Sequence, residues 1–273
     1  MIAEGTALVA GASRGLGRAI ALELASRGFD VVAAMRDPGA GSALPAEAAA
    51  RGGRLQVSVL DVTHADHFAM PSDLRVVVCN AGVRGPYLPV EADPIEHWRE
   101  TFETNVFGTL AVLQRAIPVL REHGDGVICT ITSSSLLLPL PFFGAYRASK
   151  AAVSALGDTL RAELAPHGIR VLEIMPGPID TDLLRDSVMV RPPEAIEHEP
   201  YRALAARAFP PGAGGAHPVT PPEQAAVAVA DAILYDDAPL RVGCDPSSVG
   251  AIDVWRSRSD EEHQRAALEG WVV

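Results

Sequence analysis

The chain predicts a doubly wound α/β fold, a single-domain parallel sheet of Rossmann-like type with helices on both faces. Three observations carry that prediction. Short apolar runs alternate with helical stretches through most of the 273 residues. The runs, such as Val31-Val32-Ala33-Ala34 and Val76-Val77-Val78-Cys79, are apolar at every position, as strands are when both faces are covered. The segment Gly11-Ala12-Ser13-Arg14-Gly15-Leu16-Gly17 carries the chain from one such run straight into a helical pattern.

Taken in order, the sequence predicts strands at 6–10, 30–35, 55–60, 75–79, 126–132, 169–175 and 240–242, and helices at 15–27, 94–122, 143–165 and 222–235. The last helix opens on Pro221-Pro222 with Glu223 in its first turn, a favourable helix start. There is no internal repeat and no compositional boundary, and 48% hydrophobic content suffices for one large core, so 1–273 reads as one domain.

Composition removes several classes of function. A net charge of −11 argues against nucleic acid and anionic membrane as partners, since both call for a basic surface. The first residues lack the basic and apolar regions of a signal peptide, and no apolar run approaches the roughly 20 residues of a membrane span. Cys79, Cys129 and Cys244 show no metal spacing, and the first two fall in buried strands as small hydrophobes. A reduced, cytoplasmic protein is expected.

One stretch breaks the alternation. Residues 176–222 hold ten of the chain's 22 prolines together with Gly212-Ala213-Gly214-Gly215. A long insert leaving the carboxyl end of a strand in an open α/β sheet lies where ligands bind, so 177–221 is expected to be a substrate-binding lid. Its Arg185, Arg191, Arg202 and Arg207 are interleaved with Glu194, Glu197 and Glu199, the pattern of a mixed solvated surface rather than an anion site. His198 and His217 lie in the same stretch without an evident partner.

Two constellations carry chemistry. Glycines at 11, 15 and 17 would let a pyrophosphate approach the backbone while the following helix offers free N–H groups and the positive end of its dipole. In the predicted helix 143–165, the spacing of four puts Tyr146 and Lys150 on one face, where an ammonium near a phenol would lower its pKa and make it a usable general acid/base. Ser133 precedes Tyr146 by 13 residues. Of the neighbouring serines, Ser135 is a weaker alternative for the same role, and Ser134 suits a solvated strand end.

With Asp61-Val62, Asn80-Ala81-Gly82, Asn105 and Pro176-Gly177 added, these motifs stand in the order of the short-chain dehydrogenase/reductase family, which the chain resembles over nearly its whole length. The resemblance implies an oxidoreductase acting on CH–OH groups, a ketoreductase or alcohol dehydrogenase. Tyr146 would exchange a proton with the substrate oxygen, Ser133 would hydrogen-bond that oxygen, and Lys150 would hold ribose hydroxyls and bias Tyr146 towards phenolate. Asn105 would anchor a water behind Lys150, which requires the predicted helix 94–122 to deform around it. For the cofactor, the resemblance implies contacts from Gly11, Ser13, Arg14, Gly15, Leu16, Gly17, Arg36, Asp61, Val62, Asn80, Ala81, Gly82, Tyr146, Lys150, Pro176, Gly177, Ile179 and Thr181.

Cofactor choice turns on the end of the second strand. Met35 stands where an NAD enzyme places a carboxylate, while Arg36 and Arg14 could make charge-assisted bonds that only a 2′-phosphate rewards. NADP is therefore expected over NAD. Asp37 is left two roles, turning back to the ribose or pairing with Arg36.

Some positions depart from the family pattern. Ala10 and Cys79 replace hydrogen-bonding residues near the turn, and the interval between Asp61 and Asn80 leaves room for only a turn or two of helix. The polar end, from Trp255 to Val273, does not resemble an apolar tail that closes a tetramer. A homodimer through the 94–122 and 143–165 helices is expected, with a tetramer as the other assembly.

The apolar run Leu136–Phe143 stands between Ser133 and Tyr146, either as a pocket wall or as core and interface. A small-molecule ketone or alcohol, bulky and hydrophobic like a steroid, follows by analogy. Two alternatives remain open in the sequence, a same-fold dehydratase or epimerase and a non-catalytic cofactor sensor.

Overall fold

The structure is a computed structural model that describes residues 1–185, 193–210 and 219–271. Among the described residues, seven strands form one parallel sheet: β1 (Thr6–Ala10), β2 (Asp30–Met35), β3 (Arg54–Val59), β4 (Leu74–Cys79), β5 (Gly126–Ile131), β6 (Ile169–Ile174) and β7 (Arg241–Val242). Their order is β3-β2-β1-β4-β5-β6-β7. The chain runs outward from β1 to β3 and returns to place β4 on the other side of β1. The crevice for a ligand in such a sheet opens at that reversal, beyond the carboxyl ends of β1 and β4.

The helices are α1 (Gly15–Ser26), α2 (Leu44–Ala50), α3 (Ile95–Phe102), α4 (Gly108–His123), α5 (Gly144–Leu164), α6 (Asp182–Arg185), α7 (Arg202–Ala208), α8 (Pro222–Leu234), α9 (Pro246–Arg256) and α10 (Asp260–Trp271). The period of two along each strand divides the core into two layers. Ala7, Val9, Val76 and Val78 point to the side covered by α1, α2 and α8. Leu8, Ala10, Val77 and Cys79 point to the side covered by α4 and the end of α5. This is why the strands read as unbroken apolar runs. All three cysteines are buried, Cys79 and Cys129 as the sequence predicts and Cys244 in addition, and burial pushes the thiols of Cys79 and Cys244 up to about 12.

The predicted helix 94–122 is three pieces. Between α3 and α4 the chain makes a wider π turn over Glu103–Phe107, with Asn105 buried in it. The shortened interval after Asp61 is a 3-10 turn, Val62–His67, capped by the Asp61 carboxylate. The sequence reading gave no elements to the C-terminal end, yet α9 and α10 form there. Asp245 and Ser248 cap α9 reciprocally, and Pro246 opens it. Ser259 accepts from the Glu262 N–H at 3.3 Å while Glu262 accepts from the Ser259 N–H at 2.8 Å. Both are reciprocal caps that a sequence can show.

The expected lid is partly described. It comprises α6, the 3-10 turns Glu194–Glu197 and Glu199–Tyr201, and α7. Its charges pair locally, Arg185 with Asp180 and Asp182, and Arg202 with Glu199. Arg191, His217 and 212–215 lie outside the described residues. Among the described residues no helix is long and apolar enough to cross a membrane, and no cluster could hold a metal ion.

Candidate active site

One cavity of about 880 Å³ lies over the carboxyl ends of the central strands. All the residues expected in the site line it except Gly17 and Asn105, which sit behind its wall.

At one end the wall is the glycine turn. Gly11 has φ of +81°, and a Cβ there would lie 2.7 Å from the Ala81 backbone. A Cβ at Gly17 would collide with the Gly11 carbonyl and the Asn80 amide. Both glycines are forced by close approach of backbone. The Asn80 side chain donates to the Gly11 carbonyl at 2.8 Å, and the N–H groups of Asn80 and Ala81 both reach the Ala10 carbonyl. The tie between β1 and β4 is thus made by Asn80 and backbone, and it persists although Ala10 and Cys79 lack polar side chains. The helix α1 starts after Arg14 with no side-chain cap and no acidic residue in its first turn. Its first N–H groups and its positive dipole end therefore face the cavity, alongside Ser13, Gly15 and Leu16. These features fit a pyrophosphate.

Further along the wall, Met35 is buried, with its side chain closed over Gly41. Arg36 and Arg14 are exposed at the rim, and Arg14 reaches Asp182 at 3.4 Å. The Asp37 carboxylate caps the next turn, accepting from the Gly39 N–H at 2.9 Å, rather than pairing with Arg36. Burial raises the Asp61 pKa, but hydrogen bonds from the Thr63 hydroxyl and N–H outweigh it and hold the group below the usual value, helped by His64 and Arg36. Val62 follows in the same wall, and Ala81 and Gly82 continue it from β4.

The third wall carries Ser133, Tyr146 and Lys150. Ser133 lies two residues beyond β5 and caps the turn that follows, its Oγ accepting from the Ser135 N–H at 3.2 Å. Ser134 is held by its N–H on the Pro176 carbonyl. The Ser135 hydroxyl is buried, and its carbonyl accepts from Arg147. Tyr146 and Lys150 share a face of α5, with Nζ 5.9 Å from the ring centroid. The relation differs from the sequence expectation. The ammonium is buried and donates to the Ile131 carbonyl at 2.8 Å, and burial lowers its pKa to about 8. Burial raises the Tyr146 pKa, and the opposing influences are Arg84 and the Ser133 hydroxyl. Arg84 was not among the expected residues.

Asn105 braces this wall from behind. Its side chain accepts from the Val83 N–H at 2.7 Å and donates to the Val83 carbonyl and the Ser149 hydroxyl, both at 2.9 Å. Its carbonyl accepts from Thr109 at 2.8 Å. The π turn opens α3–α4 at the point where these bonds are made.

The loop after β6 closes the fourth side. The Gly177 N–H donates to the Asp245 carboxylate at 2.7 Å, and a Cβ on Gly177 would lie 2.6 Å from that carboxylate. Pro178 and Asp180 bond to Thr220 in strand-like fashion, which fixes Ile179 and Thr181 at the cavity. Asp245 was missed in the sequence, although its place before Pro246 and three residues ahead of Ser248 is a cap signature. On the Tyr146 side the cavity is also lined by apolar residues, Leu140, Phe143, Phe209, Leu184, Val254 and Ala267. The apolar run 136–143 is divided: Leu138, Pro139, Leu140 and Phe143 line the cavity, while Leu136, Leu137 and Phe142 pack into small core clusters. Residues of α9 and α10, from the unread C-terminal end, line the cavity as well.

A seven-stranded parallel sheet with this cleft at its reversal defines a Rossmann-like nucleotide-binding scaffold carrying a Ser-Tyr-Lys constellation. The model of the short chain dehydrogenases matches residues 5–189, and the chain belongs to that family of oxidoreductases. An uncharacterized oxidoreductase of Bacillus subtilis, YusZ, is 34% identical over 214 residues, 72% of this chain and 75% of that one. The structure of a short chain dehydrogenase from Burkholderia cenocepacia in complex with NADP is similar at 28% identity and a TM-score of 0.74, covering 98% of this chain and 99% of that one. One from Mycobacterium paratuberculosis, bound to NAD, is similar at 28% identity and a TM-score of 0.72, covering 90% and 97%.

Proposed function

We propose that the protein is an NADP-dependent oxidoreductase that interconverts a bulky hydrophobic ketone or aldehyde and its alcohol, with Tyr146 as the general acid/base. The observation that carries this reading is the continuity of one cavity from the glycine turn, past Ser133 and Tyr146, into an apolar chamber. NADPH bound there would supply a hydride to the carbonyl carbon. The Ser133 hydroxyl holds the carbonyl oxygen and stabilises the charge that develops on it. The Tyr146 phenol, kept protonated by burial, donates its proton to the same oxygen.

The remaining expected residues would hold the cofactor. Gly11, Ser13, Gly15, Leu16 and Gly17 shape the phosphate cradle, with Asn80, Ala81 and Gly82 opposite. Asp61 and Val62 flank the adenine end, and Lys150, Pro176, Gly177, Ile179 and Thr181 flank the nicotinamide end. Asn105 positions Lys150 by fixing Val83 and Ser149 beside it. NADP is preferred to NAD because Met35 offers no carboxylate, Asp37 is engaged as a cap, and Arg36 and Arg14 stand at the rim. The segment 177–221 acts as the lid, and exposed Ile95 and Phe107 mark the α3–α5 side for a homodimer.

The test is oxidation of NADPH and of NADH over a panel of steroid, aliphatic and aromatic ketones, run beside Tyr146→Phe. Turnover with NADPH is expected to fall on the order of 10²- to 10⁴-fold in the variant. Turnover that survives would remove Tyr146 from its role. Binding of NADPH without turnover of any ketone or corresponding alcohol would turn the reading towards a sensor.

A further inference from the structure

A carboxylate lies in the core behind the active site. Glu173, in β6, is 1% exposed and pairs across the sheet with Thr130 of β5 and Arg241 of β7. Its side chain points to the face that α5 covers, as that of Val171 does two residues earlier. There it accepts from two hydroxyls and pairs with a guanidinium. The Thr132 hydroxyl reaches Oε1 at 2.8 Å, and the Ser154 hydroxyl and Arg241 Nε each reach Oε2 at 3.0 Å. Both hydroxyls belong to segments that carry the reacting groups. Thr132 immediately precedes Ser133, and Tyr146, Lys150 and Ser154 follow at intervals of four along one face of α5. We propose that Glu173 is a positioning residue: its carboxylate clamps the end of β5 to α5 and so fixes Ser133 relative to Tyr146.

Three successive residues at the end of β5 have different tasks. The Ile131 carbonyl accepts from the Lys150 ammonium at 2.8 Å, the Thr132 hydroxyl donates to Glu173, and Ser133 lines the cavity. The helix α5 is therefore held to this strand end at two successive turns, directly through Lys150 and indirectly through Ser154 and Glu173. One contact fixes a distance. Two contacts a helical turn apart also fix the angle at which Tyr146 meets Ser133.

Stability alone does not account for a carboxylate in this place. An ion pair taken out of water is costly, and apolar side chains of like volume often replace one without loss. Such a replacement would strand no donor. Thr132 Oγ1 also has the Ile174 carbonyl at 3.2 Å, and Arg241 keeps Asp158 at 3.1 Å and the Trp255 ring at 5.6 Å. The hydroxyl of a helical serine such as Ser154 can turn to the carbonyl one turn back. What an apolar side chain cannot supply is the link itself, and a misplacement of about 1 Å at reacting groups can cost on the order of 100-fold in rate.

The inference rests on the reading of Ser133 and Tyr146 as the groups that meet the substrate oxygen, and one arm of its test is free of substrate. In crystals of one form, Glu173→Met is expected to change the separation of Ser133 Oγ and Tyr146 Oη by about 0.5 Å or more from wild type. On the ketone that the panel selects, kcat is expected to fall on the order of 10- to 100-fold, while the NADPH dissociation constant and the urea midpoint stay near those of wild type. Glu173→Gln, which keeps an acceptor oxygen, is expected to recover part of the rate. Ser154→Ala, outside the cavity lining, is expected to lower kcat about three- to tenfold alone and to add nothing in the Glu173→Met background, since both cut one link. An unchanged separation in Glu173→Met overturns the proposal, and so does wild-type kcat in that folded variant. Loss of NADPH binding in proportion to kcat also overturns it, because the role would then be structural. If Glu173→Met does not fold, Ser154→Ala decides, and wild-type kcat there overturns the proposal. No turnover by wild type together with a changed separation would sink the oxidoreductase reading and leave the clamp. Turnover that depends on Tyr146 and that Glu173→Met leaves intact would do the reverse.

Discussion

The glycine turn and the segment after β6 wall the same cavity, but they are held by different forces. At the turn, shape is set by backbone against backbone: Gly11 on Ala81, Gly17 on the Gly11 carbonyl, and the Ala10 carbonyl shared by two N–H groups. After β6, one backbone pairing, to Thr220, is supplemented by side chains. One carboxylate, Asp245, holds Gly177, and aromatic rings of Phe142, Phe143, Tyr201 and Phe209 pack at centroid distances of 6.1 to 6.4 Å. Backbone contacts tolerate almost no substitution and serve any member of a ligand class that shares the pyrophosphate. Side-chain contacts can be changed singly, so the substrate end is where specificity can vary on a fixed frame.

The sharpest way to break this contrast is to add one methyl group in the turn and, as a control, one in α9 outside the cavity lining. Gly17→Ala is expected to cost about 3 kcal/mol or more, because the opposing atoms are a carbonyl and an amide that cannot yield without moving β1. Denaturant unfolding reads the loss, and calorimetric titration with NADPH should show binding abolished with it. Gly250 in α9 has open space around a Cβ, so Gly250→Ala is expected to stabilise by up to about 1 kcal/mol. Equal effects at the two positions would dissolve the contrast.

The same division explains what was legible in the sequence. The strands, the glycine turn and the order of Ser133, Tyr146 and Lys150 were visible because backbone requirements leave residue-type signatures: glycine, continuous apolar runs, fixed spacing. The deformation at Asn105 was legible only through the family resemblance, which requires the helix to open around that residue. The substrate end was not. Arg84 is one polar residue in a loop, and its contacts with Tyr87, Tyr146 and Leu183 join residues far apart in the chain. The hydrogen bond from the Lys150 ammonium to the Ile131 carbonyl was not legible either, because spacing shows that a lysine is near the tyrosine but not which carbonyl its ammonium meets. The helices α9 and α10 looked like a polar tail, although their reciprocal caps were present in the sequence.

Lys150 stands on the boundary between the regions, and its burial gives a pH signature. Its folded pKa, about 8, lies below the ordinary 10.5, so the unfolded chain binds more protons between those values and the lysine's contribution to stability rises with pH across that window. The buried thiols act in the opposite direction above pH 9; those of Cys129 and Cys244 cancel in the difference between wild type and Lys150→Met, and Cys79, which interacts with Lys150, leaves the smaller remainder. The stability of wild type relative to Lys150→Met should therefore increase by on the order of 3 kcal/mol from pH 8 to 10.5, read by denaturant unfolding of the ligand-free proteins. A constant difference would mean that the ammonium is better solvated than its burial implies.

Asp245 tests whether a single side chain does hold the substrate end. Asp245→Ala removes the partner of the Gly177 N–H and the cap of α9 together, at an expected cost of about 2 kcal/mol. Asp245→Asn keeps an acceptor and should recover part of it. If the loop depends on this contact, NADPH affinity falls in step with stability in both variants. Affinity that stays level while stability falls would show that the Thr220 bonds suffice to fix Ile179 and Thr181.

Phe209 gives the smallest effect and the finest distinction. Its ring borders the cavity and packs at 6.4 Å from Phe142 and 6.1 Å from Phe143, both beside Tyr146 in the chain. Truncation to alanine removes aromatic contact worth about 1 kcal/mol and widens the chamber without touching the glycine turn. For the ketone that the panel selects, KM is expected to rise about fivefold while the NADPH dissociation constant is unchanged. A bulkier ketone should be affected less than a small one, since it can fill part of the space left. Loss of NADPH binding in Phe209→Ala would show that the two ends are mechanically one, and that the side-chain wall supports the backbone cradle.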